Sequence, residues 1–274
     1  MKNKIKVKWK NIIIISIFLL FIILLIISGY NVIKWKLDSN KMDKEINNIQ
    51  NTTYIEEIKN NENTKIIKPS EKISKENPYW DYINMNMINV NFTDLKKTNP
   101  DVIGWIKVNG TNINYPFVQS KDNDYYLTHS FNKSYNGGGW VFLDYRNNST
   151  NNKNTIIYAH GRSNKTMFGT LKDTLKNSWL SNTNNYIIKL STETENSLWQ
   201  IFSIYRIPTT SDYLQIDFNN DLEYQNFLDM IKNRSNHNFN TSITSNDKIL
   251  TLSTCYNNDD KMVVHAKLIK KENK

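Results

Sequence analysis

Hydrophobic positions fall into three regimes along this chain. From Ile12 to Ser28 the sequence is almost unbrokenly apolar, including Phe18, Leu19, Leu20, Phe21 and Leu24, and Gly29, Tyr30, Val32 and Ile33 extend it. That run reaches the roughly 20 residues a helix needs to cross a bilayer. From Lys36 to Asn77 the apolar residues thin to isolated isoleucines among Lys, Glu and Asn, with a weak helical pattern around Met42–Ile49. Such a composition is too polar to bury a core of its own and reads as a stalk. At Pro78-Tyr79-Trp80 the aromatic content rises, and the remainder is long enough for one well-buried domain. The chain therefore divides into a basic tail (1–11), an anchor (12–33), a polar stalk (34–78) and a folded domain (79–274).

Within that domain, Trp80, Ile83 and Met87 recur at i, i+3, i+7 and predict an amphipathic entry helix. A short helix over Phe92–Lys97 ends before Pro100. Strands dominate afterwards. Val102–Val108 and Asn112–Gln119 flank Asn109-Gly110, a strong hairpin signal. Gly139–Tyr145, Thr155–His160, Tyr186–Leu190, Leu198–Arg206, Ile249–Cys255 and Met262–Ile269 are further β-rich runs, several alternating at period two. Between the late strands, Tyr224, Phe227, Leu228 and Ile231 mark one face of a helix over Asn219–Arg234, with Asn220 and Glu223 spaced as a cap. Many strands with short connections and a few peripheral helices predict a mainly β fold, a closed or nearly closed barrel.

Charge refines the anchor. Lys2, Lys4, Lys6, Lys8 and Lys10 precede the apolar run, against Lys34 and Lys36 just after it. The positive-inside rule then leaves the N-terminus cytoplasmic and the domain outside a single-pass membrane protein. No small-x-small cleavage site follows the run, so it reads as a retained anchor. Residues 1–36 hold seven lysines and no acids, which leaves +2 of the formal +9 for the rest of the chain. The outer portion is near neutral and carries no stacked-aromatic basic stripe, which argues against a nucleic-acid partner.

Cys255 is the one cysteine of the chain and ends the run Lys248-Ile-Leu-Thr-Leu-Ser-Thr-Cys255. An extracellular protein usually pairs its cysteines, so a lone thiol there is either an inert buried residue or a nucleophile. His160 likewise ends a strand-like run, immediately before Gly161-Arg162-Ser163. Two strand exits can bring a thiol and an imidazole to one rim of a barrel. The pair makes chemical sense: only the thiolate attacks carbonyls, a free thiol has a pKa of about 8.5, and an imidazole can pair with the thiolate or protonate a leaving amine.

Several segments together resemble a known family. Thr251-Leu-Ser-Thr-Cys255 resembles the TLxTC nucleophile motif of sortases, and Asn154-Thr-Ile-Ile-Tyr-Ala-His160-Gly the histidine segment. Met167-Phe-Gly-Thr-Leu171, Asn99-Pro-Asp-Val-Ile-Gly-Trp-Ile106, Ile113-Asn-Tyr-Pro116, Asp122-Asn-Asp-Tyr-Tyr-Leu127 and Phe142-Leu-Asp-Tyr-Arg146 are similar to class B members, in order over residues 79–271. The resemblance implies an eight-stranded β-barrel with peripheral helices and an uncleaved N-terminal anchor. It also implies a cysteine transpeptidase without a cofactor. By that resemblance, Cys255 would attack a carbonyl in the C-terminal sorting signal of a secreted protein, His160 would protonate the departing amine, and an amine from a peptidoglycan precursor or a pilin would resolve the thioester.

One family position departs. Sortases carry an arginine at the start of the strand after the cysteine, yet no arginine follows Arg234 here. Alignment of the last strand, Met262-Val-Val-His-Ala-Lys-Leu268, puts Lys261 in that place. Lysine keeps the charge and loses the planar five-donor fork. Arg162 and Arg206 are other candidates for the missing donor. The alternative function is accordingly a sortase-fold module that binds sorting signals without turnover. A papain-like hydrolase conflicts with chain order, because in that group the cysteine precedes its histidine by far more than the interval from Cys255 to His265. By period two Tyr158 shares the face of His160 and Ser253 that of Cys255, so both are candidate substrate contacts, as is Asn123 in its class B-like segment. His265 reads as structural, and His129 and His237 lie in polar stretches without ligand partners, so no metal site is expected.

Overall fold

Strand alternation produces a closed barrel whose inner and outer faces are both buried along the two strands that matter most. The computed structural model describes residues 9–69, 72–148 and 152–274. In chain order the elements are α1 (Trp9–Thr52), β1 (Ile55–Ile58), β2 (Thr64–Ile66), α2 (Tyr79–Tyr82), β3 (Met87–Val90), α3 (Thr93–Thr98), β4 (Val102–Val108), β5 (Asn114–Val118), β6 (Phe142–Leu143) and β7 (Asn154–Tyr158). They continue with α4 (Asn177–Leu180), β8 (Ile187–Thr192), β9 (Glu195–Pro208), α5 (Asp221–Asn233), β10 (Ile249–Cys255) and β11 (Asp260–Asn273).

Eight strands close in the order β10-β7-β6-β5-β4-β8-β9-β11, with β10 pairing β11 to complete the ring. Closure removes the unpaired edges that would otherwise invite aggregation. The last strand, β11, outruns β10, and its free stretch Lys270–Glu272 pairs with β2. Period two divides the burial. Leu250 and Leu252 of β10 and Val264 and Ala266 of β11 belong to the interior cluster, whereas Ile249 and Val263 face a second cluster outside. That outer cluster is roofed by Tyr224, Phe227, Leu228 and Ile231 of α5, the face anticipated from their spacing. The helix starts where its cap directs: Asn220 Oδ1 accepts from the Glu223 amide at 2.9 Å, and Glu223 Oε2 accepts from the Asn219 amide at 2.7 Å.

Three sequence readings change. Met87 lies in β3 rather than in an entry helix, and the helix there is limited to Tyr79–Tyr82. Met87 instead pairs with Ile58 of β1, and just ahead of it the buried Lys270 ammonium donates to the carbonyls of Ile83 and Met85 and to Asn60 Oδ1. Those carbonyls thus have partners outside the helix, and burial lowers the Lys270 pKa to about 8. The hairpin at Asn109-Gly110 closes through a wider loop than the dipeptide suggested, with Lys107 opposite Asn114 and Gly110 at φ +69°.

The segment 34–78 is the third change. It is no polar stalk in this structure. The helix carrying the apolar run continues unbroken to Thr52, and Met42, Ile46 and Ile49, spaced i, i+4, i+7, are buried against the barrel. Three apolar side chains on one face suffice to dock a helix whose other faces are polar. After it, β1 pairs with β3 and β2 with β11, so the chain from 39 to 66 clasps the domain. The N-terminal part of α1 is exposed and is long and apolar enough to cross a membrane.

Candidate active site

Parallel pairing of β7 and β10 makes the site. Ser253 and Tyr158 are Cα partners in that ladder. Two residues beyond that pair come Cys255, the last residue of β10, and His160, just past the end of β7, so the same register carries both to one rim of the barrel. The exit is locked by Thr254, whose hydroxyl donates to the Ala159 carbonyl at 2.7 Å. Immediately after His160 the two backbones close up: a Cβ on Gly161 would stand 2.2 Å from the Cys255 carbonyl oxygen. Only glycine fits there, since overlap of that size forces strand backbone apart. We expect Gly161→Ala to lower turnover at least tenfold and to destabilise the fold by about 1–3 kcal/mol, read by steady-state kinetics and urea unfolding. Unchanged values in both would mean the strand exits are looser than described.

Cys255 is exposed and unpaired. Across the β10–β11 hairpin its Cα partner is Lys261, and Lys261 Nζ lies 3.1 Å from Cys255 Sγ. The tight connection is shaped by Asn257, whose Oδ1 accepts from the amides of Asp259 and Asp260 at 3.0 and 2.7 Å. This short turn sets the lysine directly opposite the sulfur. His160 is half-buried, with Nε2 2.8 Å from the Leu127 carbonyl oxygen. A carbonyl only accepts, so Nε2 carries the proton and Nδ1 remains for chemistry. A cleft of about 380 Å³ is lined by Cys255, His160, Gly161, Arg162 and Ser163, by Gly137 and Gly138, and by Asn31, Lys34, Trp35 and Asp38 of α1.

The domain matches the sortase family model over residues 106–269. It is 41% identical to sortase B of Staphylococcus aureus over 65% of this chain and 75% of that protein. Among solved structures it matches a Staphylococcus aureus sortase B–substrate complex at 41% identity and TM-score 0.61, covering 65% of this chain and 84% of that one. It also matches a sortase B complexed with triglycine at 40% identity and TM-score 0.62, over 65% and 85% of the two chains.

This chain belongs to the sortase family, class B.

Sortases are cysteine transpeptidases, and this chain is one by family. The other arginines considered from sequence do not meet the sulfur. Arg206 Nε donates to Asp260 Oδ2 at 2.6 Å, and its guanidinium stacks 4.3 Å over the Tyr256 ring. Arg162 lines the cleft but is turned toward α1, where Nη2 donates to Ser39 Oγ at 3.2 Å and Nη1 meets Met42 Sδ. Burial lowers its pKa.

The three candidate substrate contacts lie outside the residues lining the cleft, and each has its polar atoms engaged. The Tyr158 hydroxyl donates to Asp144 Oδ2 at 2.9 Å; burial and the neighbouring carboxylate push its pKa far up. Asn123 donates to the same Asp144 oxygen at 3.1 Å and accepts from the Tyr145 amide at 3.0 Å. Arg146 completes that bracket through two side-chain contacts and one from its amide to Asp144, and one to the Leu214 carbonyl. Despite its burial, Asp144 has its pKa held down by these donors. Ser253 is buried, with its hydroxyl 2.9 Å from that of Tyr213. These residues brace the wall beside Cys255.

His265 is fully buried among Tyr205, Thr251 and Phe202. Thr251 donates to Asn154 Oδ1 at 2.7 Å, so His265 Nδ1–H donates to Thr251, and Nε2 accepts from Tyr205. Residues of α1 were absent from the sequence-based site. Nothing in the sequence links Lys34, Trp35 and Asp38 to Cys255, since only docking of the helix brings them there.

Proposed function

We propose that this sortase is held in the membrane by α1 with its N-terminus cytoplasmic, and that it cleaves a sorting signal near the C-terminus of secreted proteins. The Cys255 thiol passes its proton to His160 Nδ1 and the thiolate attacks the scissile carbonyl; the C–N bond breaks, and the imidazolium gives that Nδ1 proton to the departing amine. The acyl group rests as a thioester on Sγ. An incoming amine from a peptidoglycan precursor or a pilin attacks that thioester, yields its proton to His160, and leaves a new amide and a free thiolate. Lys261 stands beside the sulfur, where an ammonium offsets negative charge on the thiolate and then on the tetrahedral oxygen. A site partly shielded from water favours amine over hydrolysis.

The observation that carries this reading is the convergence of Cys255, His160 and Lys261 at one barrel rim, from three separate strand ends. Relatives solved with a substrate and with triglycine support a peptide donor and an amine acceptor. The lysine excess before the apolar run supports the orientation. The alternative, a module that binds without turnover, rests on the missing arginine, and the Lys261 ammonium beside Sγ favours turnover. The test incubates a library of sorting-signal peptides with triglycine and follows products by mass spectrometry. We expect cleaved peptide joined to triglycine, and none with Cys255→Ala. Peptide binding by the wild type without any cleavage would establish the module instead.

A further inference from the structure

The docked length of α1 gives the cleft a second wall. Its helix runs without a break from the apolar span into the residues lining the cleft, where Lys34, Trp35 and Asp38 face Cys255 and His160 across about 380 Å³. Several contacts hold it there. Asn136 Nδ2 donates to the Asp38 carbonyl at 3.0 Å, Asn164 Nδ2 to Ser39 Oγ at 3.0 Å, and the Asn132 amide to Glu45 Oε1 at 2.8 Å. Met42 beneath them is fully buried. Lys34 Nζ sits 5.5 Å over the ring of Tyr135, which belongs to the domain and is 63% exposed.

Height follows from helix geometry. The apolar run ends at Ile33, and at 1.5 Å per residue Asp38 stands only about 8 Å further along the axis. Tyr30 and Trp35 are exposed on the helix, and Tyr135 is exposed on the domain at the level of Lys34. Aromatic rings at that depth are what the headgroup layer of a bilayer accommodates. Resting on the membrane-anchored transpeptidase reading, we propose that Lys34, Trp35 and Asp38 form a substrate-contacting wall of the active site. The wall fixes the cleft at the membrane surface, so that its peptide binds between the anchor helix and the barrel. Trp35 supplies an apolar face to the bound peptide, while Lys34 and Asp38 offer charges of opposite sign.

Linker length tests the height, and a substitution tests the wall. Full-length protein in phosphatidylcholine–phosphatidylglycerol vesicles is given one cleavable peptide in three forms. One is free, one carries a lipid anchor through three residues, reaching about 10 Å at most, and one carries it through about 20 Gly/Ser residues, spanning about 25 Å on average. A cleft at the surface turns over the short-tethered peptide at least as fast as the long-tethered one. Trp35→Ala raises KM by about tenfold with kcat little changed, as loss of one aromatic contact does, and Trp35→Phe restores most of it. Turnover of the free and long-tethered peptides with the short-tethered one inert would overturn the placement. An unchanged KM in Trp35→Ala would overturn the wall. Failure to turn over any of the three would defeat the transpeptidase reading itself, and this proposal with it.

Discussion

Lys261→Ala should lower turnover at least tenfold and up to about 10³-fold, the loss typical when one oxyanion donor is removed. The expectation rests on one distance, the 3.1 Å between Lys261 Nζ and Cys255 Sγ, and on the absence of an arginine in that role. Arg206 is committed to Asp260 and Tyr256, and Arg162 to α1, so neither stands ready to replace it. The loss should fall on kcat with KM little altered, because charge on the sulfur and the oxyanion develops along the reaction path. Lys261→Arg should preserve or raise turnover, since a guanidinium retains the charge and adds donors. If Lys261→Ala left turnover unchanged, another donor would complete the site, and the hairpin register would carry no catalytic meaning.

The second large effect is on stability in acid. Burial draws the pKa of His265 down to about 3 from an ordinary 6.5, with the Arg234 charge adding to it. As pH falls the unfolded chain takes up the proton first, so this contribution is fully present above pH 6.5 and lost progressively down to pH 3. At about 1.4 kcal/mol per unit, the loss approaches 4–5 kcal/mol. A glutamine at 265 can donate to Thr251 and accept from Tyr205 without titrating. Urea midpoints of wild type and His265→Gln should therefore converge, or cross, between pH 7 and pH 4. A difference that stays constant with pH would show that His265 does not control acid stability.

What could be read from the sequence was what local pattern determines. Two strands, Val102–Val108 and Ile249–Cys255, have the limits their alternation indicated, and the α5 face and its Asn220 cap follow from spacing alone. The last-strand alignment put Lys261 in the place of the family arginine, and the antiparallel register of β10 and β11 makes it the Cα partner of Cys255. What escaped was tertiary. Met87 fitted a helical period, yet the buried Lys270 ammonium captures the carbonyls of Ile83 and Met85. Residues 34–78 carry too few apolar positions to announce burial, although Met42, Ile46 and Ile49 lie on one helical face. Period two put Tyr158 on the face of His160 but could not reveal that Asp144 claims its hydroxyl. Likewise it could not show Tyr213 covering Ser253. In each case a partner distant in sequence decided the outcome.

The thioester on Cys255 is the centre of this account, and intact-protein mass spectrometry tests it most directly. Full-length protein mixed with a sorting-signal peptide and no added amine should gain the mass of the acyl fragment on the peptide containing Cys255. The adduct should vanish when triglycine or hydroxylamine is added, and it should be absent from Cys255→Ala. Cleavage and transfer proceeding at full rate in Cys255→Ala, or an adduct mapped to any other residue, would contradict the account.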